Sequence, residues 1–360
     1  MADVINIGLV GYGLAGRVFH APVIQSVPNL RLKKVVERHK EESSKRYPDV
    51  EVVRDVAALL KDEEIDLVVV TTPNTSHFEY ARDALLARKH VVVEKPFTTT
   101  SAEALQLIDL ARRQNRILTV NQNRRWDGDF QTVKRLLDDK LLGRLVEYES
   151  HFDRFRNYEQ AGSWREEKAP GSGILFDLGS HLIDQAQILF GLPEMILADI
   201  RVQRDFARTA DNFELILYYV HLKVTLKAGM LVREPGPRFV LHGTEGSFIK
   251  YGLDVQEEAL KQGLTPSVPN WGEDPEEQWG TLNTQVGELH LMGRIETIAG
   301  RYQAYYQNVI EAINGEAELI VKPEEAMNTI RIIELAMESS QKRAGIPYSS
   351  ASLKSRAADE

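Results

Sequence analysis

The chain contains no cysteine among its 360 residues. Disulfide bonds and thiolate metal sites are therefore excluded. It also lacks any apolar run long enough to cross a bilayer, and its first residues, MADVINIGLVGYG, lack the pattern of a signal peptide. From these absences we expect a cytoplasmic protein with no membrane partner.

Positive charge is also scarce. The chain has 44 Lys and Arg against 53 Asp and Glu, which gives a formal net charge of −9. Because nucleic-acid binding needs a basic footprint, this balance argues against nucleic acid as the main partner, although a small anionic ligand remains compatible with it. The length exceeds what one hydrophobic core usually fills, so two domains are predicted.

The first third of the chain alternates short apolar strands with helical patterns. Uninterrupted runs such as VVV are typical of strands that are buried on both faces. Regular β-α alternation with short connections predicts a parallel, doubly wound sheet in an α/β fold. The predicted strands are VINIGLV, RLKKVVE, DLVVVTTP, HVVVEKP and RILTVNQ.

The segment GYGLAG directly follows the first predicted strand and opens a helix. Gly11, Gly13 and Gly16 match the spacing G-x-G-x-x-G. In that motif the first glycine allows a tight turn, the second admits a pyrophosphate, and the third lets helix and strand pack closely. Glu37 ends the second strand where an acid can bind ribose hydroxyls. These features predict a dinucleotide-binding Rossmann domain; the alternative is a structural turn with Glu37 merely solvated.

The remainder of the chain has a different character. Four segments alternate apolar and polar residues with no helix between the last three, which predicts an open, mostly antiparallel sheet in a C-terminal α+β domain. We place the domains at residues 1–122 and 123–360. A homodimer or homotetramer formed through this sheet is expected. The acidic loop PNWGEDPEEQWG is expected at the surface. The four segments are RLVEYESHFDRF, EMILADIRVQRD, NFELILYYVHLKVTLKAGML and RFVLHGTEGSFIKYG.

Two further segments carry candidate chemistry. In VVVEKPF, Lys95 follows a buried strand, so it would reach the crevice at the carboxyl edge of the sheet. Asp177, His181 and Asp184 are spaced i, i+4 and i+7, which would place them on one face of a helix. By themselves these three residues fit a solvated face, a metal site or an acid-base site. No further ligand cluster stands out in the sequence, so we predict no metal.

Four motifs, GLVGYGLAG, TTPNTSH, VVVEKPF and DLGSHLID, occur in this order over nearly the whole chain. Together they resemble the Gfo/Idh/MocA family of glucose–fructose oxidoreductases and inositol dehydrogenases. FHAP, NRRWDGDF and LGSHLIDQ are most similar to its scyllo-inositol dehydrogenase branch. One departure is Ser172, which interrupts the run of three glycines often found before the later motif in this family.

The resemblance implies an NAD(P)-dependent dehydrogenase acting on a polyol, cyclitol or sugar. By motif match, Lys95, Asp177 and His181 would be the catalytic and substrate-binding residues, and Lys95 would also bind the cofactor at its nicotinamide. Lys95 would stabilise the substrate oxygen, His181 would exchange the proton, and Asp177 would bind hydroxyls. Two alternatives stay open: a non-catalytic nucleotide-dependent sensor, and a redox-neutral sugar lyase or glycosidase that retains its nucleotide.

Several of the remaining site predictions have structural alternatives. These are a simple turn for residues 72–74, a helix cap for His77, and a core tryptophan beside a surface arginine for Trp164 and Arg165. Arg124 is a candidate for substrate binding, and Asn123 and Arg124 could equally have a structural role. NAD is favoured because Glu37 would repel the 2′-phosphate of NADP. NADP is possible because Arg38 could bind that phosphate. Arg38 could instead stack over the adenine, which both cofactors contain. Further cofactor-binding candidates are Tyr12, Leu14, Thr72, Pro73, Asn74, His77, Glu94, Asn123, Trp164 and Arg165.

Overall fold

The computed structural model describes residues 4–158 and 166–349. Within them the chain forms two compact units, each built from more than one stretch of sequence. The first unit comprises the chain up to residue 127, together with 255–272 and 300–327. The second comprises 128–254, 273–299 and the chain from 328 onward. The predicted boundary at residue 122 lies close to the first of these divisions, whereas the later returns of the chain were not predicted.

The first unit contains a six-stranded parallel sheet with the order β3-β2-β1-β4-β5-β6. This is the order of a doubly wound dinucleotide-binding sheet, so the predicted fold class is confirmed here. All four residues of β4 and three of the four in β5 are buried, as their valine runs predicted. Its strands are β1 (Ile5–Val10), β2 (Leu30–Val36), β3 (Glu51–Val53), β4 (Leu67–Val70), β5 (His90–Val93) and β6 (Leu118–Val120).

Strand β6 lies at one edge of this sheet and is bound by a segment about 200 residues later in the chain. The hydroxyl of Thr119 donates to the carbonyl of Val321 over 2.8 Å. Arg125, which follows the strand, donates to the carbonyl of Ile320 over 2.7 Å. Backbone carbonyls from the last part of the first unit therefore bind two side chains, one in β6 and one after it.

The second unit contains a nine-stranded sheet with the order β14-β13-β12-β11-β7-β10-β9-β8-β15. Its pairings are antiparallel except between β7 and β10, so the predicted mostly antiparallel sheet is confirmed. The hairpin of β13 and β14 was not predicted. The strands are β7 (Leu145–Asp153), β8 (Met195–Arg201), β9 (Asn212–Tyr218), β10 (Lys223–Gly229), β11 (Phe239–Gly243), β12 (Gly246–Lys250), β13 (Gly280–Val286), β14 (Leu289–Ile295) and β15 (Ile346–Pro347).

One face of this sheet is packed and the other is wetter, because its strands alternate buried and half-buried residues. In β9, for example, Phe213, Leu215 and Leu217 are buried and the residues between them are not.

Within the described residues, the α-helices are α1 (Ala21–Gln25), α2 (Glu42–Arg46), α3 (Val56–Leu60), α4 (His77–Leu86), α5 (Ser101–Gln114), α6 (Gly128–Asp138), α7 (Ser180–Phe190), α8 (Gln256–Lys261), α9 (Gln303–Ile313) and α10 (Pro323–Lys342).

Two helices are preceded by a π-helical segment. Ala15–His20 leads into α1 and Leu175–Gly179 leads into α7. Such segments are rare and occur often at functional sites. Over the residues that the structure describes, no helix combines the length and the apolar character needed to cross a membrane.

The acidic loop between residues 269 and 280 is not a simple surface loop, contrary to expectation. Trp271 is buried and its indole N–H donates to Gln256 over 3.0 Å. Asp274 is also buried and accepts a hydrogen bond of 2.7 Å from the ammonium group of Lys250, and both side chains are fully shielded from solvent. Lys250 also donates to the carbonyl of Gln278 over 2.6 Å. The loop is thus held by a buried ion pair.

We expect Asp274→Ala to lower the free energy of unfolding by about 3–5 kcal/mol, because it leaves the ammonium of Lys250 buried without its countercharge. Chemical denaturation followed by circular dichroism measures the loss. Asp199→Ala is the matched control, since Asp199 pairs with Arg201 at an exposed site, where removal costs about 1 kcal/mol or less. A loss no larger than that of the control would show that the buried Lys250–Asp274 pair contributes no more to stability than an exposed ion pair.

Candidate active site

The glycine loop joins β1 to the π-helical segment, and its geometry explains each glycine. Gly11 has a φ of +96°, a backbone conformation that other residues rarely adopt. A Cβ atom at Gly16 would lie 2.4 Å from the carbonyl oxygen of Gly11, so only glycine fits there. A Cβ atom at Gly13 would meet nothing within 4 Å, so this side of the loop is open. The loop therefore fits the pyrophosphate of a dinucleotide at Gly13.

A cavity of about 670 Å³ lies beside this loop within the first unit. Seven predicted cofactor residues line it, whereas the other predicted residues that the structure describes do not. The seven are Gly11, Tyr12, Gly13, Glu37, Arg38, Thr72 and Pro73. The cavity is also lined by residues that sequence reasoning missed, namely Val10, Val36, Arg54, Asp55, Val56, Thr71, Ser76 and Tyr80.

Glu37 is buried, and its carboxylate already accepts three hydrogen bonds from within the protein. Oε1 accepts from the backbone N–H of Ser43 over 2.8 Å and from the Ser43 hydroxyl over 2.5 Å. Oε2 accepts from the backbone N–H of Glu42 over 3.0 Å. Because a carboxylate offers about four acceptor positions, one position on Oε2 remains for a ribose hydroxyl. Glu37 therefore holds the start of α2 in addition to lining the cavity.

Positively charged residues also line the cavity beyond β2. Arg54 donates to the carbonyls of Glu37 and Lys40 over 3.0 and 2.7 Å, so it holds the loop in place. Arg38 donates to the hydroxyl of Tyr80 over 2.9 Å. Over the residues that the structure describes, neither Arg38 nor Lys40 pairs with a carboxylate. These two cations are available for a phosphate group.

The carboxyl ends of β4 and β5 are joined by His77. Its ring lies between two carbonyl oxygens, with Nε2 2.8 Å from that of Thr72 and Nδ1 2.9 Å from that of Pro96. His77 is buried, so the geometry gives it a structural role between the two strands. Asn74 is also buried and does not line the cavity. Leu14 is exposed and lies outside the cavity lining as well.

Lys95 follows β5 and is half-buried, and the Lys95–Pro96 bond is cis. Glu94 immediately before it is buried and accepts a hydrogen bond of 3.0 Å from His20. Burial alone would raise the pKa of the Glu94 carboxyl, but the hydrogen bond to His20 and the nearby charge of Lys95 outweigh it and hold that pKa below its usual value. Glu94 is thus an ionised buried carboxylate next to the lysine.

Arg124 was predicted to bind substrate, but its guanidinium is buried in an ion-pair cluster. It donates to Asp127 over 3.1 Å and also pairs with Glu257. Tyr302 donates to the same Asp127 carboxylate over 2.7 Å. This geometry favours the structural alternative for Arg124. Asn123 is half-buried at the start of the same 3-10 turn.

The second unit carries the other candidate catalytic residues. Asp177 lies in the π-helical segment, whereas His181 and Asp184 lie in α7 and are buried. The predicted spacing assumed one continuous α-helix, but the helix is α-helical only from Ser180. The π-helical turn therefore shifts Asp177 relative to the stripe that i, i+4 spacing would give.

The sheet of the second unit packs around His181. The ring of Phe152 lies 6.5 Å from the His181 ring, centroid to centroid. Arg238 lies 4.2 Å from the ring centres of both Phe152 and Phe239, and it donates to Gln185 of α7 over 3.0 Å. A buried arginine thus fixes both the aromatic ring beside His181 and the helix that carries it.

Asp177 lines a small cavity of about 40 Å³ in the second unit. Arg156, Glu166 and Arg204 line the same cavity, so charged groups of both signs meet there. Arg204 is itself bound to Asp211 over 2.8 Å. Trp164 and Arg165, which were predicted to bind cofactor, lie outside the described residues. Over the described part of the chain, no group of three His, Asp or Glu could hold a metal ion.

Comparison with known proteins decides the family. Residues 5–122 match the oxidoreductase-family model for an NAD-binding Rossmann fold, and residues 134–348 match the C-terminal α/β domain of the same family. The chain belongs to the Gfo/Idh/MocA oxidoreductase family. The family resemblance and the prediction of an NAD(P)-dependent oxidoreductase are both confirmed.

Two relatives and one solved structure are similar to this chain over nearly its full length. The scyllo-inositol 2-dehydrogenase (NADP(+)) IolW of Bacillus subtilis is 41% identical over 341 residues, which is 95% of each chain. The oxidoreductase YdgJ of Escherichia coli is 43% identical over 96% of this chain and 99% of its own. The solved structure of yvaA from Bacillus subtilis has a TM-score of 0.94 at 41% identity and covers 97% of this chain and 99% of its own.

The residues that sequence reasoning missed had weak signals. Arg54, Asp55 and Tyr80 line the cofactor cavity, but they come from a short strand end and a helix that no motif marks. His20 belongs to the segment FHAP, and no spacing in the sequence links it to Glu94. Its buried contact with Glu94 required the three-dimensional structure.

Proposed function

We propose that this oxidoreductase interconverts a hydroxyl and a carbonyl group on a polyol, cyclitol or sugar, with Lys95 and His181 in the chemical step. The observation that carries the proposal is the pairing of an open glycine loop at Gly13 with a lysine that follows β5 in the same unit. The 41% identity to an inositol dehydrogenase over 95% of the chain supports the substrate class.

Each residue has a distinct task in this proposal. The bound nicotinamide supplies or accepts the hydride. Lys95 donates a hydrogen bond and positive charge to the substrate oxygen, which stabilises alkoxide character as it develops. His181 accepts the hydroxyl proton in oxidation and returns it in reduction. Asp177 accepts hydrogen bonds from substrate hydroxyl groups and so orients the carbon that reacts.

An absorbance assay for the reduced nicotinamide tests this function. The purified protein is given inositol isomers, linear polyols and aldoses, each with NAD and with NADP. Net reduction with at least one substrate is expected. Oxidation products are then identified by mass spectrometry. A protein that binds nucleotide tightly but reduces none with any substrate would support the sensor. Glycoside cleavage without net reduction would support the redox-neutral alternative.

The cofactor cavity favours the use of both cofactors. Glu37 retains one acceptor position for the ribose of NAD, while Arg38 and Lys40 offer positive charge to the 2′-phosphate of NADP. The engagement of Glu37 by α2 offsets part of its charge and so weakens its repulsion of that phosphate. We therefore expect turnover with NAD and with NADP.

We predict that Lys40→Ala lowers kcat/KM for NADP by about 10-fold and changes kcat/KM for NAD by about 2-fold or less. The reason is that a hydrogen bond to a charged group contributes about 1.5–3 kcal/mol, and only NADP has the phosphate. Arg38→Ala separates two roles: loss with NADP alone indicates phosphate binding, and equal loss with both indicates adenine stacking. Lys61→Ala, at an exposed site outside the cavity lining, is the control. Equal loss with both cofactors in Lys40→Ala would contradict the assignment.

A further inference from the structure

His20 is a fully buried histidine within the first unit, and both of its ring nitrogens have polar partners. Nε2 lies 3.0 Å from Oε1 of Glu94, and Nδ1 lies 2.5 Å from the hydroxyl of Tyr306. Because a carboxylate only accepts hydrogen bonds, Nε2 carries the hydrogen. In the neutral ring the Tyr306 hydroxyl then donates to Nδ1. The histidine therefore links a tyrosine of α9 to the residue before Lys95.

The Glu94 carboxylate has a second donor within the same unit. Asn121, directly after β6, donates from Nδ2 to Oε1 of Glu94 over 3.1 Å. The backbone of Glu94 is fixed too, since its N–H donates to the carbonyl of Val70 over 2.9 Å. A buried carboxylate is costly unless such donors satisfy it. His20 and Asn121 therefore set where this charge lies.

The backbone structure around His20 fixes the direction in which its side chain points. His20 is the last residue of the π-helical segment that follows the glycine loop, and α1 begins at the next residue with Pro22 in its first turn. A π-helix winds more loosely than an α-helix, so it changes the direction in which the following side chains point. Tyr306 packs edge-on against the imidazole, with ring centres 6.0 Å apart. The segment thus aims His20 at Glu94.

We propose that His20 is a positioning residue for Lys95. With Tyr306 and Asn121 it anchors the Glu94 carboxylate, and the anchored carboxylate fixes the orientation and the electrostatic surroundings of the lysine that follows it. This inference rests on the proposed role of Lys95 in turnover. Nothing in the family resemblance assigns a role to His20.

Three variants test the proposal. His20→Phe keeps a ring and removes both polar contacts, His20→Gln keeps a donor for Glu94, and Tyr306→Phe removes one hydroxyl. We expect His20→Phe to lower kcat by about 10- to 100-fold, since small misplacement of a catalytic group has effects of this size. We expect His20→Gln to recover most of that loss and Tyr306→Phe to lower kcat by about 3- to 10-fold. KM and the cofactor Kd should stay within about 2-fold.

A second measurement needs no substrate. Acetic anhydride at fixed pH modifies lysine side chains, and mass spectrometry gives the rate for the peptide that contains Lys95. We expect this rate to change several-fold in His20→Phe and little in His20→Gln, while the rate at exposed Lys61 stays constant. This measurement remains informative if the proposed reaction is wrong, because it reports on Lys95 directly.

Unchanged kcat and unchanged Lys95 acetylation in folded His20→Phe would overturn the proposal. So would a His20→Gln variant that loses activity, cofactor binding and unfolding midpoint as severely as His20→Phe, because that pattern indicates a purely structural histidine. If His20→Phe does not fold, Tyr306→Phe decides: wild-type kcat in that folded variant would refute the inference. His221→Ala, at an exposed site in the second unit, controls for loss of a histidine.

Discussion

Lys95→Ala is expected to lower kcat by at least about 100-fold while the Kd for nucleotide changes little. Loss of one donor that stabilises a developing oxyanion costs about 2.7–4 kcal/mol in the transition state. Lys95 does not line the cavity beside the glycine loop, so its removal leaves those nucleotide contacts intact. Steady-state kinetics and nucleotide titration by fluorescence measure the two quantities.

Lys61→Ala is the matched control for this experiment, because it removes an exposed lysine from the same unit. It should retain wild-type kcat. Lys95→Arg adds a further comparison: it preserves the charge but changes the shape of the donor, so partial activity is expected. A Lys95→Ala enzyme that turns over within a few-fold of wild type would remove Lys95 from the mechanism.

His181→Ala is expected to lower kcat by about 100-fold or more, in line with the usual contribution of a positioned acid-base group. It should also change the pH profile. In the oxidation direction the neutral imidazole accepts the proton, so the wild-type rate rises as pH increases through the ionisation of the histidine. In the variant that rise should disappear. The profile of kcat between pH 5 and 9 is measured in both proteins.

The control for His181 is His221→Ala, which should keep both the rate and the inflection. The reduction direction offers an independent check, because there the imidazolium is the proton donor and the wild-type rate should fall as pH rises. A His181→Ala profile that retains the wild-type inflection in both directions would assign the proton transfer to another group.

Local patterns predicted much of the first unit. The valine runs of β4 and β5 are buried on both faces, and the glycine spacing matches a turn that requires glycine at Gly11 and Gly16. Thr100 caps α5 in a capping box with Glu103, and the segment Thr-Ser-Ala-Glu has the spacing of that motif. These features depend on residues close in sequence, so the sequence alone was sufficient for them.

Side-chain contacts with another element of the fold were not predictable in the same way. The donors that bind Glu37 come from α2, and the cation that pairs with Asp274 comes from β12. Their effect is that a presumed ribose ligand also holds a helix, and that an acidic loop is partly buried. The π-helical turn before α7 was equally hidden, because its residues fit an α-helical pattern. The first two features are set by contacts with another element of the fold.

The late return of the chain to β6 has a consequence for biosynthesis. Thr119 and Arg125 receive their partners, the carbonyls of Val321 and Ile320, only after nearly nine-tenths of the polypeptide has been made. The glycine loop and every residue that lines its cavity are made long before these contacts can form. Fragments cut after residue 122 would leave Thr119 without the carbonyl of Val321. Exchange of cofactor-binding halves between homologues must accordingly carry all three segments together.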